Sequence, residues 1–457
     1  MLFFKDRQKK VLKQQLIEVQ KELKKQNSIK KEIEVISSVK HIFTTKINEI
    51  PIANASLSHY EVALYFYGGM GNIYQIEQWL GTLNALNQQK EVVFIVRNKD
   101  VYAWIKENTN FIVIYCRTIE SLTKVYEENN FKCVLYVNNG FKNFQSLMVG
   151  DALHVHINHG ESDKTSTITN QSKAYDYVFI VGDAAYDKYN LNLIKKDMSK
   201  YIKVGRPQLE HIEEIPSFNE EKLKVDTYPK GGTTNINAGT KESVVARKKV
   251  ILYAPTWEGT HESMNFSSLG DYGMQLVQQL LNHPDYYLVY KPHPNTGSRD
   301  ESIKNINNAI TKLLQSHEGG EAITGGDINS LYKHVDLAIF DNSAVAIDYL
   351  IADKPMIMTD MFHRIKDRQS KPTITKAARM LSPTDVYNIP LIIKEELEND
   401  TLKQQRNKIK RYFLGDFNYE KKESTIKFIS TIEEIIRERD KLVDELKKAN
   451  EAVSPIV

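Results

Sequence analysis

The sequence predicts an α/β fold of two doubly wound domains, each built around a parallel sheet. Two stretches of the 457-residue chain alternate short apolar runs with helical patterns, the first from about Tyr60 to Val204 and the second from Val250 to Met358. This alternation is typical of βαβ units, in which a helix connects two parallel strands. A polar stretch rich in Gly, Asn and Thr, YPKGGTTNINAG at 228–239, separates them and indicates a linker.

Each apolar run is interpreted as one strand. The predicted strands of the first domain are Val62–Tyr67, Val92–Val96, Ile112–Tyr115, Cys133–Val137, Leu153–Ile157, Tyr177–Val181 and Tyr201–Val204. Those of the second domain are Val250–Ala254, Tyr286–Tyr290, Leu337–Asp341 and Pro355–Met358. We therefore predict a helical extension at 1–50, a first Rossmann-like domain at 51–215, a flexible linker at 216–248, a second Rossmann-like domain at 249–400 and C-terminal helices at 401–457.

Both ends of the chain carry helical patterns. Leu12, Leu16, Val19 and Leu23 recur at helical spacing near the start. Near the end, a heptad-like stripe consists of Phe428, Ile432, Ile435, Arg439, Leu442, Leu446 and Ala449. These patterns predict coiled-coil pairing of the ends, either with each other or across a homo-oligomer.

The net charge of +3 is the sum of two unlike parts. Residues 1–31 hold ten basic and three acidic side chains, which gives +7 and leaves −4 for the rest. The near-neutral total excludes a histone-like nucleic-acid binder, and no nucleic-acid partner is expected. The basic extension, with Leu2, Phe3 and Phe4 at its start, predicts docking on an anionic membrane surface; a solvated coiled-coil face is the alternative.

The two cysteines, Cys116 and Cys133, lie inside apolar runs, so neither a disulfide framework nor a Cys-based zinc site is expected. No stretch approaches the ~18 apolar residues of a membrane span, and Met1–Lys10 lacks a signal-peptide core. These features predict a cytoplasmic protein, peripheral at most on the inner face of the membrane.

Ligands of open α/β sheets bind beyond the carboxyl ends of the strands, so residues that follow strands are candidates for the site. His159 in Asn158-His159-Gly160 is a candidate general base, and an ordinary loop histidine is the alternative. A metal site formed by His154, His156 and His159 is conceivable but lacks a carboxylate, and no metal or cofactor is expected.

Two further segments suit phosphate binding. In Lys291-Pro292-His293-Pro294 the prolines hold an imidazole in place, either to donate to a phosphate or as part of a structural turn. Asp341-Asn342-Ser343 precedes a helical run, so backbone N–H groups there suit a phosphate, with a plain helix cap as the alternative.

Two loops at strand ends complete the candidates. Thr256 and Trp257 follow the first strand of the second domain, and a core side chain is the alternative for Trp257. Gly69, Gly71 and Asn72 follow the first strand of the first domain, but they match neither GxGxxG nor a Walker motif and indicate only a permissive loop near an acceptor.

Taken in order, these segments resemble the CDP-glycerol glycerophosphotransferase family, the teichoic-acid-type polymerases and primases of bacterial cell walls. The resemblance spans roughly residues 150–360 and implies the two-domain GT-B fold. Its segments are Asn158–Gly160, Gly205–Pro207, Ile251–Gly259 (ILYAPTWEG), Lys291–Pro294 (KPHP) and Asp336–Pro355.

The resemblance implies transfer of glycerol phosphate from CDP-glycerol to a hydroxyl of a polymer or lipid-linked acceptor, with release of CMP. The first domain would then bind the acceptor and the second the nucleotide-activated donor. His159 would be the base and His293 the contact to the donor diphosphate. The implied donor and phosphate contacts are Arg206, Thr256, Trp257, Lys291, Asp341, Asn342 and Ser343.

The sequence departs from the family pattern at positions near the donor. Asn342 replaces the usual tyrosine, Ala344 replaces the second serine of Asp-Tyr-Ser-Ser, and Asn158 precedes His159 where tryptophan is common. CDP-ribitol, another CDP-polyol or a nucleotide sugar therefore stay open as donors. A nucleotide-sugar glycosyltransferase and a non-enzymatic coiled-coil scaffold with a degenerate core are the alternative functions.

Overall fold

The computed structural model describes residues 59–163, 168–212, 223, 247–259, 265–362 and 372–453. The predicted extension at 1–50 and most of the predicted linker at 216–248 lie outside the described residues. Every predicted strand is present, and two further strands occur in the second domain.

The first domain holds, within the described residues, a seven-stranded parallel sheet in the order β3-β2-β1-β4-β5-β6-β7. The interior strand β1 is buried throughout and pairs with β2 and β4, so Val62 lies opposite both Val92 and Cys133. The strands are β1 Val62–Phe66, β2 Val92–Val96, β3 Ile112–Tyr115, β4 Cys133–Tyr136, β5 Leu153–His156, β6 Tyr177–Ile180 and β7 Tyr201–Lys203.

The second domain holds, in the part of the chain that is described, a six-stranded parallel sheet in the order β10-β9-β8-β11-β12-β13. Its edge strands β10 and β13 have three residues each and are the two that the sequence did not predict. The strands are β8 Lys249–Ala254, β9 Tyr286–Tyr290, β10 Gly320–Ala322, β11 Leu337–Phe340, β12 Met356–Thr359 and β13 Arg379–Leu381.

Helices cover both faces of each sheet, so each sheet has a hydrophobic core on either side. Several helices begin at a side-chain cap, as where Asn98 accepts from the backbone N–H groups of Asp100 and Val101. In the first domain the α-helices are α1 Tyr74–Glu77, α2 Leu80–Asn87, α3 Lys99–Asn108, α4 Ile119–Glu127, α5 Phe144–Leu147 and α6 Asp183–Asn192. Those that follow are α7 Met274–Leu281, α8 Glu301–Gln315, α9 Ala344–Asp348, α10 Ile389–Glu398, α11 Lys403–Leu414 and α12 Glu423–Val453.

Short helical turns connect these elements. A π-helical turn, Leu269–Gly273, leads into α7. The 3-10 helices are Met70–Asn72, Phe141–Asn143, Asn170–Ala174, Met198–Lys200, Pro207–Glu210, Ile328–Leu331, Tyr349–Ala352, Thr373–Ala377 and Pro383–Asn388.

The last helix, α12, returns to the first domain. Phe428, Ile432 and Ile435 are buried in the same core as strands β1 and β2, and the Phe428 ring contacts the Trp79 ring at 5.3 Å between centroids. Leu442 and Leu446, farther along the stripe, are 42% and 64% exposed. The first half of the predicted coiled-coil stripe therefore packs within the chain itself, because its apolar residues complete the first domain's core. Pairing through Leu442 and Leu446 stays a prediction.

None of the helices in the described part of the chain is both long enough and apolar enough to cross a lipid bilayer.

Candidate active site

A cleft of about 550 Å³ lies where residues from both domains meet. Most of the side chains that the sequence singled out line this cleft: Asn72, His159, Arg206, Thr256, Trp257, Lys291, His293 and Ser343. Four others lie outside its lining, namely Gly69, Gly71, Asp341 and Asn342.

The loop that carries His159 is fixed by hydrogen bonds on both sides of the histidine. Asn158 has a left-handed backbone (φ 55°), and its side-chain oxygen accepts from the His159 N–H at 2.9 Å. The Asn158 carbonyl accepts from the Trp79 indole N–H at 2.6 Å, and the His159 carbonyl accepts from Arg206 Nη2 at 3.0 Å. The position of the imidazole is thus set by the fold rather than by a ligand.

One backbone group decides which nitrogen of His159 holds the proton. Nδ1 lies 3.0 Å from the Val137 carbonyl, and a carbonyl only accepts, so Nδ1 donates and Nε2 has the lone pair. Burial lowers the pKa of His159 to about 4; the Val137 carbonyl opposes this shift and the Arg206 charge adds to it. The ring is therefore neutral at pH 7, as a general base must be.

His293 has the opposite arrangement. Its Nδ1 accepts from the backbone N–H of Asn295 at 3.0 Å, so in the neutral ring Nε2 holds the proton. The ring stacks on Trp257 with 5.9 Å between centroids. His293 is thereby arranged to donate a hydrogen bond, whereas His159 is arranged to accept one.

Glu258 holds the loop that follows His293. Its carboxylate accepts from the backbone N–H groups of Gly297 and Arg299, each at 3.0 Å. Gly297 has φ 75°, and a Cβ there would meet Lys304 Cα at 2.6 Å, so a side chain at this position would displace α8. Neither residue was singled out from the sequence.

Tyr74, the first residue of α1, lies between the two histidines. Its ring meets the His159 ring edge-on at 5.9 Å and the His293 ring edge-on at 5.8 Å between centroids. Sequence reasoning missed this residue, because Tyr74 belongs to no motif and reaches His293 only through the packing of the two domains.

Lys291 supplies a cation in the second domain's part of the lining. Its ammonium donates to the Gly325 carbonyl at 2.6 Å. Burial lowers the pKa of Lys291 to about 8, against the opposing influence of Asp327 and Glu77. Lys291 thus remains mostly protonated at pH 7, with a charge suited to phosphate oxygens.

Arg206 forms a bidentate ion pair across the two domains. Its Nε and Nη2 each lie 3.0 Å from an oxygen of Asp348 in α9, and both side chains are buried. The sequence predicted that Arg206 would place charge against a diphosphate. In the structure its guanidinium pairs with Asp348 and holds the His159 carbonyl while it also lines the cleft, so a contact to the diphosphate stays a prediction.

A family model described as CDP-Glycerol:Poly(glycerophosphate) glycerophosphotransferase matches residues 82–369, well over half of the chain. The chain belongs to this family. The match confirms the resemblance inferred from the sequence and identifies the chain as a transferase. A search among curated proteins found none that matches the chain.

Solved structures similar to this glycerophosphotransferase confirm the GT-B-like fold. S. aureus MnaA in complex with UDP has a TM-score of 0.53 and 12% identity, over 82% of this chain and 97% of that one. The wall teichoic acid polymerase TagF has a TM-score of 0.51 and 15% identity, over 83% and 90%. UDP-GlcNAc 2-epimerase from Neisseria meningitidis has a TM-score of 0.50 and 12% identity, over 82% and 100%.

In this glycerophosphotransferase Asp341 is a brace inside the second domain. It is fully buried, and its carboxylate accepts from the backbone N–H groups of Thr256 at 2.7 Å and Ser268 at 3.2 Å and from the Thr359 hydroxyl at 2.6 Å. The sequence predicted a donor contact for Asp341 and Asn342. Both side chains are buried and lie outside the cleft lining, and Asp341 fixes the Thr256 loop, so a donor contact by either residue stays a prediction.

Ser343 does line the cleft of the glycerophosphotransferase, directly before α9. The next residue, Ala344, contacts the His159 loop: a Cβ added to Gly160 would lie 3.3 Å from the Ala344 Cβ. Ala344, which replaces the second serine of the family pattern, thus lies at the junction of the two domains. Gly71 has open space around its Cα, so that loop does not require glycine there.

The conceivable metal site is not supported by the geometry. His154 is engaged within the protein, with Nδ1 at 2.7 Å from the Tyr136 hydroxyl and Nε2 at 2.8 Å from the Val149 carbonyl. Among the described residues no group of three His, Cys, Asp or Glu side chains is placed to hold a metal ion.

Proposed function

We propose that this glycerophosphotransferase moves a glycerol phosphate unit from CDP-glycerol to a hydroxyl of a teichoic-acid-type wall polymer or a lipid-linked acceptor, and releases CMP. The observation that carries the proposal is the pair of histidines in one cleft with opposite proton placement, His159 with an accepting Nε2 and His293 with a donating Nε2. Such a pair serves the two ends of a transfer reaction, one to take a proton and one to stabilise departing negative charge.

In the proposed reaction, His159 Nε2 removes the proton of the acceptor hydroxyl as the oxygen attacks the phosphorus that bears the glycerol. The bond from this phosphorus to the bridging oxygen breaks, and that oxygen leaves with CMP. His293 donates to the diphosphate and the Lys291 ammonium balances its charge. The acceptor proton ends on His159 and is then released to solvent. Tyr74 packs edge-on against both imidazoles.

The division of the cleft supports the placement of the two substrates. Lys291, His293 and Trp257 come from the second domain, where we place the donor nucleotide, and His159 comes from the first, where we place the acceptor. We further propose that the enzyme works in the cytoplasm, at the inner face of the membrane.

A donor panel tests this function. CDP-glycerol, CDP-ribitol, a UDP-sugar and a GDP-sugar are each added to the full-length protein, and the thermal midpoint and CMP or nucleotide release are measured. CDP-glycerol is expected to raise the midpoint, because a ligand that binds the folded state stabilises it. A rise with a UDP- or GDP-sugar and none with either CDP-polyol would overturn the proposal and favour a glycosyltransferase.

A further inference from the structure

His156 is a buried polar side chain that the proposed mechanism does not use. It is 2% exposed, and neither of its ring nitrogens has a hydrogen-bond partner among the described residues. It nevertheless belongs to the lining of the cleft. Buried polar groups in folded proteins are nearly always paired, so an imidazole kept unpaired at the edge of a cleft calls for a partner that is not protein.

The surroundings hold the His156 ring in one orientation. It stacks on Tyr175 with 5.1 Å between centroids and 22° between planes. Tyr175 is in turn fixed by its hydroxyl, which accepts from Asn143 at 2.8 Å and donates to the Asn139 side chain at 3.3 Å. The Tyr175 ring therefore supports one face of the His156 ring.

His154 shows what a purely structural histidine looks like in this strand. It lies on the same face of β5, two residues earlier, and both of its ring nitrogens are engaged by Tyr136 and Val149. Both histidines lie in β5 on the same side of the sheet, but of the two only His156 lines the cleft.

His156 shares the first domain's part of the cleft with uncharged polar side chains. Its neighbours in the first domain's part of the cleft include Asn139 and Thr169, which are joined by a hydrogen bond of 2.8 Å, and Ser162. Burial, with a smaller contribution from His159, lowers the pKa of His156 to about 3, so the ring is neutral. A neutral imidazole offers one donor and one acceptor, which is the complement of a hydroxyl group.

We propose that His156, with Asn139 and Thr169, forms a subsite for the hydroxyl groups of the polyol unit at the end of the acceptor. This inference rests on the proposed function and extends it to the acceptor. His156 and His159 are three residues apart in sequence and both line the first domain's part of the cleft, so a polyol unit held at His156 lies in the same part of the cleft as His159.

The test measures binding and needs no turnover. The probe is a short oligo(glycerol phosphate) with free terminal hydroxyls, titrated into the full-length protein by calorimetry beside a separate titration with CDP-glycerol. His156→Phe keeps the stack on Tyr175 but removes both nitrogens. The dissociation constant for the oligomer is expected to rise about tenfold, as for the loss of one or two hydrogen bonds, with that for CDP-glycerol unchanged.

Two further variants separate ligand binding from packing. His156→Gln keeps a donor and an acceptor and is expected to restore most of the oligomer affinity. His154→Phe, the matched control, loses two hydrogen bonds and is expected to lower the thermal midpoint while the oligomer affinity stays the same. His156→Phe is not expected to lower the midpoint, because it removes an unpaired buried polar group.

Equal oligomer affinity in wild type and His156→Phe overturns the subsite and leaves the proposed function standing. Equal weakening of both ligands also overturns it, because His156 would then belong to the donor. If CDP-glycerol fails to bind the wild type while the oligomer binds and responds to His156→Phe as expected, the subsite is supported and the proposed donor is wrong.

Discussion

His159 and His293 differ in which ring nitrogen holds the proton, and in each case one backbone group imposes the difference. The Val137 carbonyl forces the proton of His159 onto Nδ1, and the Asn295 N–H forces that of His293 onto Nε2. Both are backbone groups of the protein itself, so the proton placement does not require a bound substrate. This preorganisation is what acid–base chemistry in a transferase needs.

Removal of the base gives the first prediction. His159→Ala is expected to lower kcat by about 10²–10⁴-fold, the usual contribution of a general base, with the dissociation constant for CDP-glycerol unchanged. The measurement is CMP release at saturating donor. His317→Ala, on the exposed turn before β10, is the matched control and is expected to keep full activity. A rate within threefold of wild type in His159→Ala would contradict the assigned role.

The pH dependence of kcat/KM gives the second. Because Lys291 must be charged to bind phosphate and burial lowers its pKa to about 8, kcat/KM is expected to fall as the pH rises through 8. Because His159 must be neutral and burial lowers its pKa to about 4, the acidic limb is expected only near pH 4. Lys291→Arg keeps the charge at high pH and should move the basic limb upward. An unmoved basic limb in this variant would show that another group controls it.

At the scale of the elements, an ion pair joins the two domains, and each domain supplies one of its partners. Arg206 follows β7 and Asp348 ends α9, and their side chains are 4% and 6% exposed. Loss of one partner leaves the other charge buried and unpaired, which costs far more than loss of both. The same arginine holds the His159 carbonyl, so stability and activity respond differently to its removal.

Arg206→Met is accordingly expected to destabilise the protein by about 3–5 kcal/mol, and Arg206→Met with Asp348→Leu is expected to recover most of the lost thermal midpoint. Transfer activity should stay reduced in the double variant, because the His159 carbonyl still lacks its donor. Lys441→Met, which breaks the exposed pair with Glu445, is the control and is expected to change the midpoint little. Equal midpoints for the single and double variants would refute the argument.

The sequence predicts a strand well where the strand is fully buried and therefore consists of a continuous apolar run, as in VALYF of β1 or VVFIV of β2. It failed for β10 (GEA) and β13 (RML), two edge strands of three residues each. The equally short edge strand β7 was predicted because Tyr201–Val204 (YIKV) has three apolar residues. The residues of the candidate site likewise fall into those that the sequence pointed to and those that it did not. The histidines and Lys291 could be found because each follows a strand. Tyr74 belongs to no motif, whereas Glu258 and Asp348 lie inside segments that carry the resemblance. The roles of all three arise from contacts between segments far apart in sequence, which the sequence does not show.

At the scale of the whole molecule, the opposed charges of the two parts of the chain lead to a fourth prediction. Deletion of residues 1–31, which carry +7, is expected to abolish sedimentation with anionic liposomes, because each cation near such a surface adds about 1 kcal/mol. Transfer to a soluble acceptor should be unchanged. If the deletion changes only the oligomeric mass measured by light scattering, the segment is a coiled coil and not a membrane anchor.

Because α12 packs on the first domain, residues near the end of the chain support the loop that carries His159. Phe428 packs on Trp79, and the Trp79 indole holds the Asn158 carbonyl beside His159. During synthesis, strands β1 to β7 therefore leave the ribosome more than two hundred residues before the helix that closes their core. The apolar residues of the nascent first domain that α12 covers therefore stay exposed while the second domain is synthesised. Any attempt to produce the first domain by itself should thus fuse α12 after the 3-10 helix Pro207–Glu210, because the Glu210 carboxylate accepts from the backbone N–H groups of Ser424 and Thr425.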